Sequence, residues 1–337
     1  MRNIYDLTIK ELEDYFISIN EKIFRAVQVY EALYKRRIKS FDDMTNISKE
    51  VREKLKQDFS FYKIKMLIKQ QGKNVNKYLF ELEDGNKIES VLMFHDYGTS
   101  ICVSSQVGCN MTCAFCESGR LKKVRNLLAY EIVQQILQIE EDINKRITHV
   151  VLMGIGEPFD NYDNVLRFVK IINCGKGIDI GSRHITISTC GVIPGIKKFM
   201  NEEGQVNLAI SLHAPNNALR SRIMPINKAY PLNELMETIK EYINKTNRRV
   251  TFEYIMLDNV NDSEENAKEL AVLLKGINCY VNLIPYNETE NIEFKRTKEW
   301  KIMKFYDILK KNKINVTIRK EFGGSVDAAC GQLRANN

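Results

Sequence analysis

No stretch of this 337-residue chain approaches the ~18 consecutive apolar residues that a membrane span requires. Its start, Met1-Arg-Asn-Ile-Tyr-Asp6, lacks the organisation of a secretory leader. Both features predict a cytoplasmic protein with no membrane partner. Cysteine is scarce, with eight residues in all, which is too few for a disulfide scaffold. Internal repeats, low-complexity tracts and long linkers are missing as well. Nor does one sign of charge dominate: 50 Lys and Arg stand against 43 Asp and Glu, a net of +7. That excess permits nucleic-acid binding without establishing it. With 44% hydrophobic and 28% charged residues, the composition is that of a globular protein with a substantial core, built as one large domain or two modest ones.

Three of the eight cysteines fall in one short run, Cys109-Asn-Met-Thr-Cys113-Ala-Phe-Cys116. Three thiolates so close together can hold three corners of an iron–sulfur cube. The fourth iron then has no protein ligand, and an open iron can bind a small molecule and pass it an electron. A structural zinc site instead wants four ligands, usually in two pairs. The nearest other candidates, Cys102 and His95, lack that spacing. A cluster also needs reduced thiols and hence a reducing compartment. Cys174 and Cys279 read as small core residues, and nothing about position 190 demands its thiol.

Residues 1 to 58 read as helical, with Leu12, Phe16, Ile19, Ile23, Val27, Tyr30 and Tyr34 at spacings of three and four. The segments 78–82 and 88–92 flank Asp84-Gly85, a strong hairpin signal. Strand patterns follow at 101–107, 149–153, 184–189, 206–212, 250–257, 280–285 and 314–319. Helical patterns at 128–143, 161–172, 232–244, 264–274 and 298–309 separate most of them. Such alternation predicts an α/β fold with right-handed crossovers and a parallel sheet. The expected organisation is a helical module with a short β element over 1–94, an alternating α/β core over 95–320 and a tail over 321–337. Basic groups are scattered, and the group from Lys122 to Arg125 stands out because it follows the cysteine loop, where a polyanionic backbone could be neutralised.

The text around the cysteines is specific. The run Cys-x3-Cys-x2-Cys resembles the signature of radical S-adenosylmethionine (SAM) enzymes. Further segments resemble the RlmN/Cfr family of adenine-methylating RNA enzymes. They are Ile101-Cys-Val-Ser-Ser-Gln-Val-Gly-Cys109, Leu152-Met-Gly-Ile-Gly-Glu-Pro158, Ile187-Ser-Thr-Cys-Gly-Val-Ile-Pro194, Ser211-Leu-His-Ala-Pro215, Asn282-Leu-Ile-Pro-Tyr-Asn287 and Asp327-Ala-Ala-Cys-Gly-Gln-Leu333. The last is the narrow signal. Cys116-Glu-Ser-Gly, Asn287-Glu288 and Phe322-Gly-Gly-Ser325 depart from the family's usual text.

The resemblance implies a partial (β/α)6 barrel with its site at the carboxyl ends of the strands. It implies one [4Fe-4S] cluster held by Cys109, Cys113 and Cys116, with SAM on the open iron and an electron donor such as flavodoxin or ferredoxin. An electron passed into the sulfonium would release a 5′-deoxyadenosyl radical. Gly156 and Glu157 match cofactor-binding positions, as do Ser188, Ser211, Leu212, His213 and Asn287; Glu157 can accept from the SAM ammonium. Met153 matches a methionine near the site. Cys330 matches the tail thiol that takes a methyl group from one SAM, from which the radical of a second SAM removes hydrogen. The methylene radical so formed adds to adenine, whose electron-poor C2 and C8 do not attack a sulfonium themselves. Cys102 matches the thiol that releases the adduct by forming a disulfide with Cys330, and Glu89 matches a carboxylate acting as general base.

The implied substrate is an unstacked adenosine in 23S rRNA near the peptidyl-transferase centre, and possibly in tRNA. RlmN enzymes methylate C2, whereas Cfr enzymes methylate C8 and confer antibiotic resistance. Val107 stands where Cfr-type sequences tend to carry an extra cysteine, and Glu157-Pro158, His213-Ala-Pro215 and Ile284-Pro285 follow the RlmN pattern, so C2 is expected. Phe322-Gly323 leans the other way. Two further readings remain open from the residues: a radical-SAM enzyme acting on another substrate, and an RNA-binding cluster protein that acts as a sensor.

Overall fold

The structure is a computed structural model and describes residues 1–289, 291–319 and 332–333. Strand β1 (Arg2–Asn3) opens the chain and is followed by α1 (Ile9–Ser18), α2 (Phe24–Tyr34) and α3 (Lys49–Asp58), after which β2 (Phe59–Ser60) pairs back onto β1. Thr8 and Glu11 form a capping box that starts α1. The apolar periodicity that runs unbroken from 12 to 34 in the sequence does not make one helix. Asn20 turns left-handed at φ +59°, and Ile23 is left exposed. The core instead takes Ala26, Val29, Tyr30 and Leu33 from α2.

Three antiparallel strands come next: β3 (Lys65–Gly72), β4 (Val75–Glu81) and β5 (Lys87–His95). Asp84-Gly85 makes the turn between β4 and β5, with Gly85 at φ +80°. No atom lies within 4 Å of a Cβ placed on Gly85, so the backbone angle alone demands glycine there. This hairpin is no separate sheet. Strand β6 (Gly98–Cys102) pairs antiparallel to β5 on one side and parallel to β9 (His149–Leu152) on the other. Between β6 and β9 lie the short pair β7 (Gln106–Val107) and β8 (Arg125–Asn126), then α4 (Ala129–Ile143).

From β9 the chain alternates through α5 (Tyr162–Asn173), β10 (Ile185–Thr189), α6 (Ile193–Phe199), β11 (Asn207–Ser211), α7 (Asn217–Ile223), α8 (Leu232–Thr246), β12 (Val250–Met256), α9 (Glu264–Leu273), β13 (Cys279–Pro285), α10 (Glu299–Lys311) and β14 (Val316–Ile318). The ten-stranded sheet runs β14-β13-β12-β11-β10-β9-β6-β5-β4-β3, and its seven strands from β6 to β14 are parallel. Six β/α units and a closing strand thus form the expected partial barrel, prolonged by the hairpin strands. Helices α6 and α7, seven residues each, carry too short a pattern to be read from sequence. The strand expected over 101–107 stops at Cys102. Beyond it the chain leaves the sheet, because Ser105 N–H bonds Ile155 O at 2.9 Å and Gln135 Oε1 takes Ser104 N–H at 2.8 Å.

Alternation along the parallel strands sets the two faces. Ile185 and Ile187, Leu208 and Ile210, and Phe252 and Tyr254 are buried against the helices. The intervening residues turn inward and are more polar: Ser188, Ser211, Glu253 and Asn282. A continuous apolar core joins the N-terminal helices to the barrel helices.

Candidate active site

The cysteine loop leaves β7 through Gly108, whose φ of +73° and close approach to Lys122 O exclude a side chain. Backbone bonds then seat it: Cys109 N–H on Leu121 O at 2.9 Å, and Ala114 N–H on Ile223 O at the end of α7, also at 2.9 Å. Cys109, Cys113 and Cys116 all line one cavity of about 170 Å³ at the carboxyl ends of the strands. Burial pushes the Cys109 thiol up to about 12 and raises Cys113 and Cys116 as well. Among the described residues, no three His, Cys, Asp or Glu converge on the position of a single metal ion. A cube puts each cysteine on a different iron. Three desolvated soft donors, ionised only against a cationic metal, fit such a cluster.

The turn after β9 forms the next wall. A Cβ on Gly154 would lie 2.7 Å from Val103 O, and one on Gly156, at φ +107°, would lie 2.6 Å from Gln106 Cβ. These glycines therefore let the turn close on the β6–β7 segment, in addition to lining the cavity. Glu157 is buried; its Oε1 accepts from Phe159 N–H at 3.0 Å and its Oε2 from Cys190 N–H at 2.8 Å. Burial raises its carboxyl, and those two donors offset only part of the rise. Each oxygen retains a lone pair for a ligand.

Ser188, Ser211, His213 and Asn287 also line the cavity, as do Met153 and Cys102. His213 Nδ1 accepts from Ile255 N–H at 3.0 Å, and the Phe115 ring meets the imidazole edge-on at 4.9 Å. Leu212 points elsewhere: its side chain lies in the helix-side core and its carbonyl accepts from Arg220 Nε at 3.2 Å. Glu89 is not on the cavity wall. It is buried, not solvated, and pairs with Lys77 at 3.1 Å. It shares a strand face with Val91 and Met93, which do line the cavity. Cys330 lies outside the described residues. No disulfide joins two described residues, and the partner expected for Cys102 is that same Cys330. Gln332 and Leu333 do reach the site: Gln332 Nε2 bonds Glu288 O at 3.2 Å, and Ser118 Oγ bonds Leu333 O at 2.7 Å. Leu333 shares an apolar cluster with Cys102.

The basic group after the cysteine loop is mostly engaged within the protein. Lys123 pairs with Asp160 at 2.7 Å; Arg125 spans Asp84 at 2.6 Å and Glu131 at 2.8 Å. Lys122 remains exposed.

Two residues went unread in the sequence. Arg220 is fully buried and binds Cys190 O at 2.6 Å, Ser211 O at 3.3 Å, Leu212 O at 3.2 Å and Asn227 Oδ1 at 3.0 Å. It thereby ties the ends of β10 and β11 together beneath the cavity. Glu253 on β12 lines the cavity, and an acid at an inward position of an otherwise apolar strand was the available signal.

A partial α/β barrel whose strand ends gather three such cysteines is the architecture of radical SAM enzymes, and residues 103–271 match the radical SAM superfamily. Residues 2–60 match the N-terminal domain of ribosomal RNA large subunit methyltransferases. A probable dual-specificity RNA methyltransferase RlmN from Spiroplasma citri is 53% identical, covering 100% of this chain and 98% of its own length. Its counterpart from Enterococcus faecalis is 54% identical over 99% of this chain and 96% of its own. A radical SAM methyltransferase structure from Sphaerobacter thermophilus matches with a TM-score of 0.94 at 41% identity, covering 100% of both chains. The chain belongs to the RlmN family and is a SAM-dependent RNA methyltransferase.

Proposed function

We propose that this enzyme methylates C2 of an adenosine in 23S rRNA near the peptidyl-transferase centre, and an adenosine in tRNA as well. The observation that carries this reading is one cavity walled by Cys109, Cys113, Cys116, Cys102 and Glu157 in a chain whose relatives are named RlmN. The dual specificity in those names favours two RNA classes. Val107 occupies the Cfr-type cysteine position and favours C2 over C8.

Cys109, Cys113 and Cys116 would hold a [4Fe-4S] cluster. Bound together, cluster and SAM supply one-electron cleavage of a sulfonium, with the electron drawn from a flavodoxin or ferredoxin. The chain's own part is to hold and orient. Glu157 sits at the strand end to take the ammonium of SAM, while Ser188, Ser211, His213 and Asn287 surround the rest. Cys330 accepts the methyl group. Cys102 frees the finished product by closing a disulfide with Cys330, and Glu89, next to the Val91 and Met93 wall, removes the proton. The anchorage of Gln332 and Leu333 at the cavity supports Cys330 as the acceptor, since only one residue separates it from Gln332. Residues 1–94 act as the RNA-facing accessory module while their last strand supplies Glu89, Val91 and Met93 to the site, 95–320 act as the catalytic barrel and 321–337 as the methyl-carrying tail.

Nucleoside mass spectrometry of 23S rRNA treated anaerobically with reconstituted enzyme, SAM and reductant tests this. The expected product is 2-methyladenosine, absent with Cys330→Ala. A yield of 8-methyladenosine would make the enzyme Cfr-like, and no methylated adenosine would remove the 23S assignment.

A further inference from the structure

Ser211, Glu253, Asn282 and Thr317 are register neighbours across four parallel strands, β11 to β14, and share the inward face. A directed hydrogen-bond chain runs along this row. Thr317 Oγ1 donates to Asn282 Oδ1 at 3.0 Å, and Asn282 Nδ2 donates to Glu253 Oε1 at 2.9 Å. The reverse amide orientation would set Asn282 Oδ1 against the oxygen of the ionised carboxylate, so this direction suits the charged form of Glu253. Glu253 is 4% exposed and lines the cavity, and its Oε2 accepts from no donor among the described residues. Arg319, on the same cavity wall, offsets the charge of this carboxylate through space but makes no hydrogen bond to Oε2, which leaves that oxygen open to a donor from a ligand.

SAM offers three kinds of donor: its ammonium, its adenine amine and its two ribose hydroxyls. Glu157, at the end of β9, is three strand spacings from β12, about 14 Å along the sheet. An ammonium held there is out of reach of Glu253. Asn287 lies just beyond β13, past the far side of β12. Between the amino-acid end and the base of a ligand spanning those two points lies its sugar.

We propose that Glu253 Oε2 accepts from the ribose hydroxyls of SAM, oriented for that task by Asn282 and Thr317. The proposal rests on SAM occupying this cavity. Its test is equilibrium binding of SAM and of its 2′-deoxy and 3′-deoxy analogues to the cluster-loaded enzyme without reductant, so that no cleavage occurs. The wild type should prefer SAM over at least one deoxy analogue by about tenfold or more. Glu253→Met should weaken SAM binding by a similar factor and lose the preference, with the cluster absorbance unchanged. Glu253→Gln keeps the bond from Asn282 but turns an amide donor toward the ribose, and should weaken SAM binding and shrink the preference if the methionine variant does not fold. Equal affinity of the wild type for SAM and both analogues would overturn the role of Glu253 and leave the cofactor assignment standing. A wild type with an intact cluster that binds no SAM would overturn both.

Discussion

At position 213 the backbone sits at φ +58°, a left-handed conformation that, glycine aside, Asn, Asp and His adopt most readily. There the imidazole meets Phe115 edge-on and its Nδ1 accepts from Ile255 N–H, so the neutral ring carries its proton on Nε2. Burial first, and the Arg220 cation second, push the ring down to about 3. The folded value thus lies below the unfolded ~6.5, so the unfolded chain takes up the proton first as pH falls. Stability should decline from about pH 6.5 toward 3, by at most ~1.4 kcal/mol per pH unit from this one group. His213→Asn keeps an acceptor for Ile255 and suits the left-handed backbone, and should flatten that part of the slope. Denaturant midpoints of both proteins between pH 7.5 and 4.5 provide the measurement, and parallel curves would show that His213 does not stay neutral. The motif made position 213 legible in the sequence, but its chemistry was not. Arg220 and Glu253 escaped for the same reason: each is defined by partners on other elements, such as Cys190 O for the first and Asn282 for the second.

Arg125 shows how an element-level reading can mislead. In sequence it belongs to a basic run beside the site. In the structure it clamps β8 to the hairpin turn at Asp84 and to Glu131 in the first turn of α4. Its hydrogen bond holds the Asp84 carboxyl well below the usual carboxylate range. Glu131 is 1% exposed and also takes Leu128 N–H at 2.8 Å. Removing the guanidinium would leave a buried carboxylate short of its cation, so Arg125→Gln should cost about 3 kcal/mol of stability. It should leave the salt dependence of RNA binding unchanged. Exposed Lys122→Gln should do the reverse, shifting stability by less than ~0.5 kcal/mol and lowering the salt slope by about 0.7–0.9. Chemical denaturation and filter binding at several salt concentrations separate the two, and a lowered salt slope in Arg125→Gln would return that residue to the RNA surface. Elements with long periodic patterns, such as α4 and α8, were legible from sequence. Charge pairing was not, because the acids that engage Arg125 come from two different elements.

Over the whole molecule, the N-terminal helices and the barrel meet through specific contacts. Tyr30 OH on α2 bonds Ile171 O on α5 at 3.4 Å, and Arg167 of α5 reaches Glu11 of α1 at 2.6 Å. Gly177, in the segment after α5, faces the paired rings of Tyr30 and Tyr34: a Cβ there would lie 2.7 Å from Tyr30 Cε1 and 3.3 Å from Tyr34 Cδ2. Nothing in the sequence marks this glycine, since the residues it accommodates are almost 150 positions away. Its backbone angle is not left-handed, so the constraint is steric alone. Both rings are buried in the shared core, and neither can yield without moving α2. Gly177→Ala should therefore overpack the junction and cost ~1–3 kcal/mol. Gly181→Ala is the control, because no atom lies within 4 Å of a Cβ at that position. Adding Tyr30→Leu to Gly177→Ala should recover part of the loss, giving a coupling energy of about 0.5 kcal/mol or more in a double-mutant cycle. A Gly177→Ala protein as stable as Gly181→Ala would mean that the helical layer shifts on the barrel without cost and that the two parts are not packed as one body.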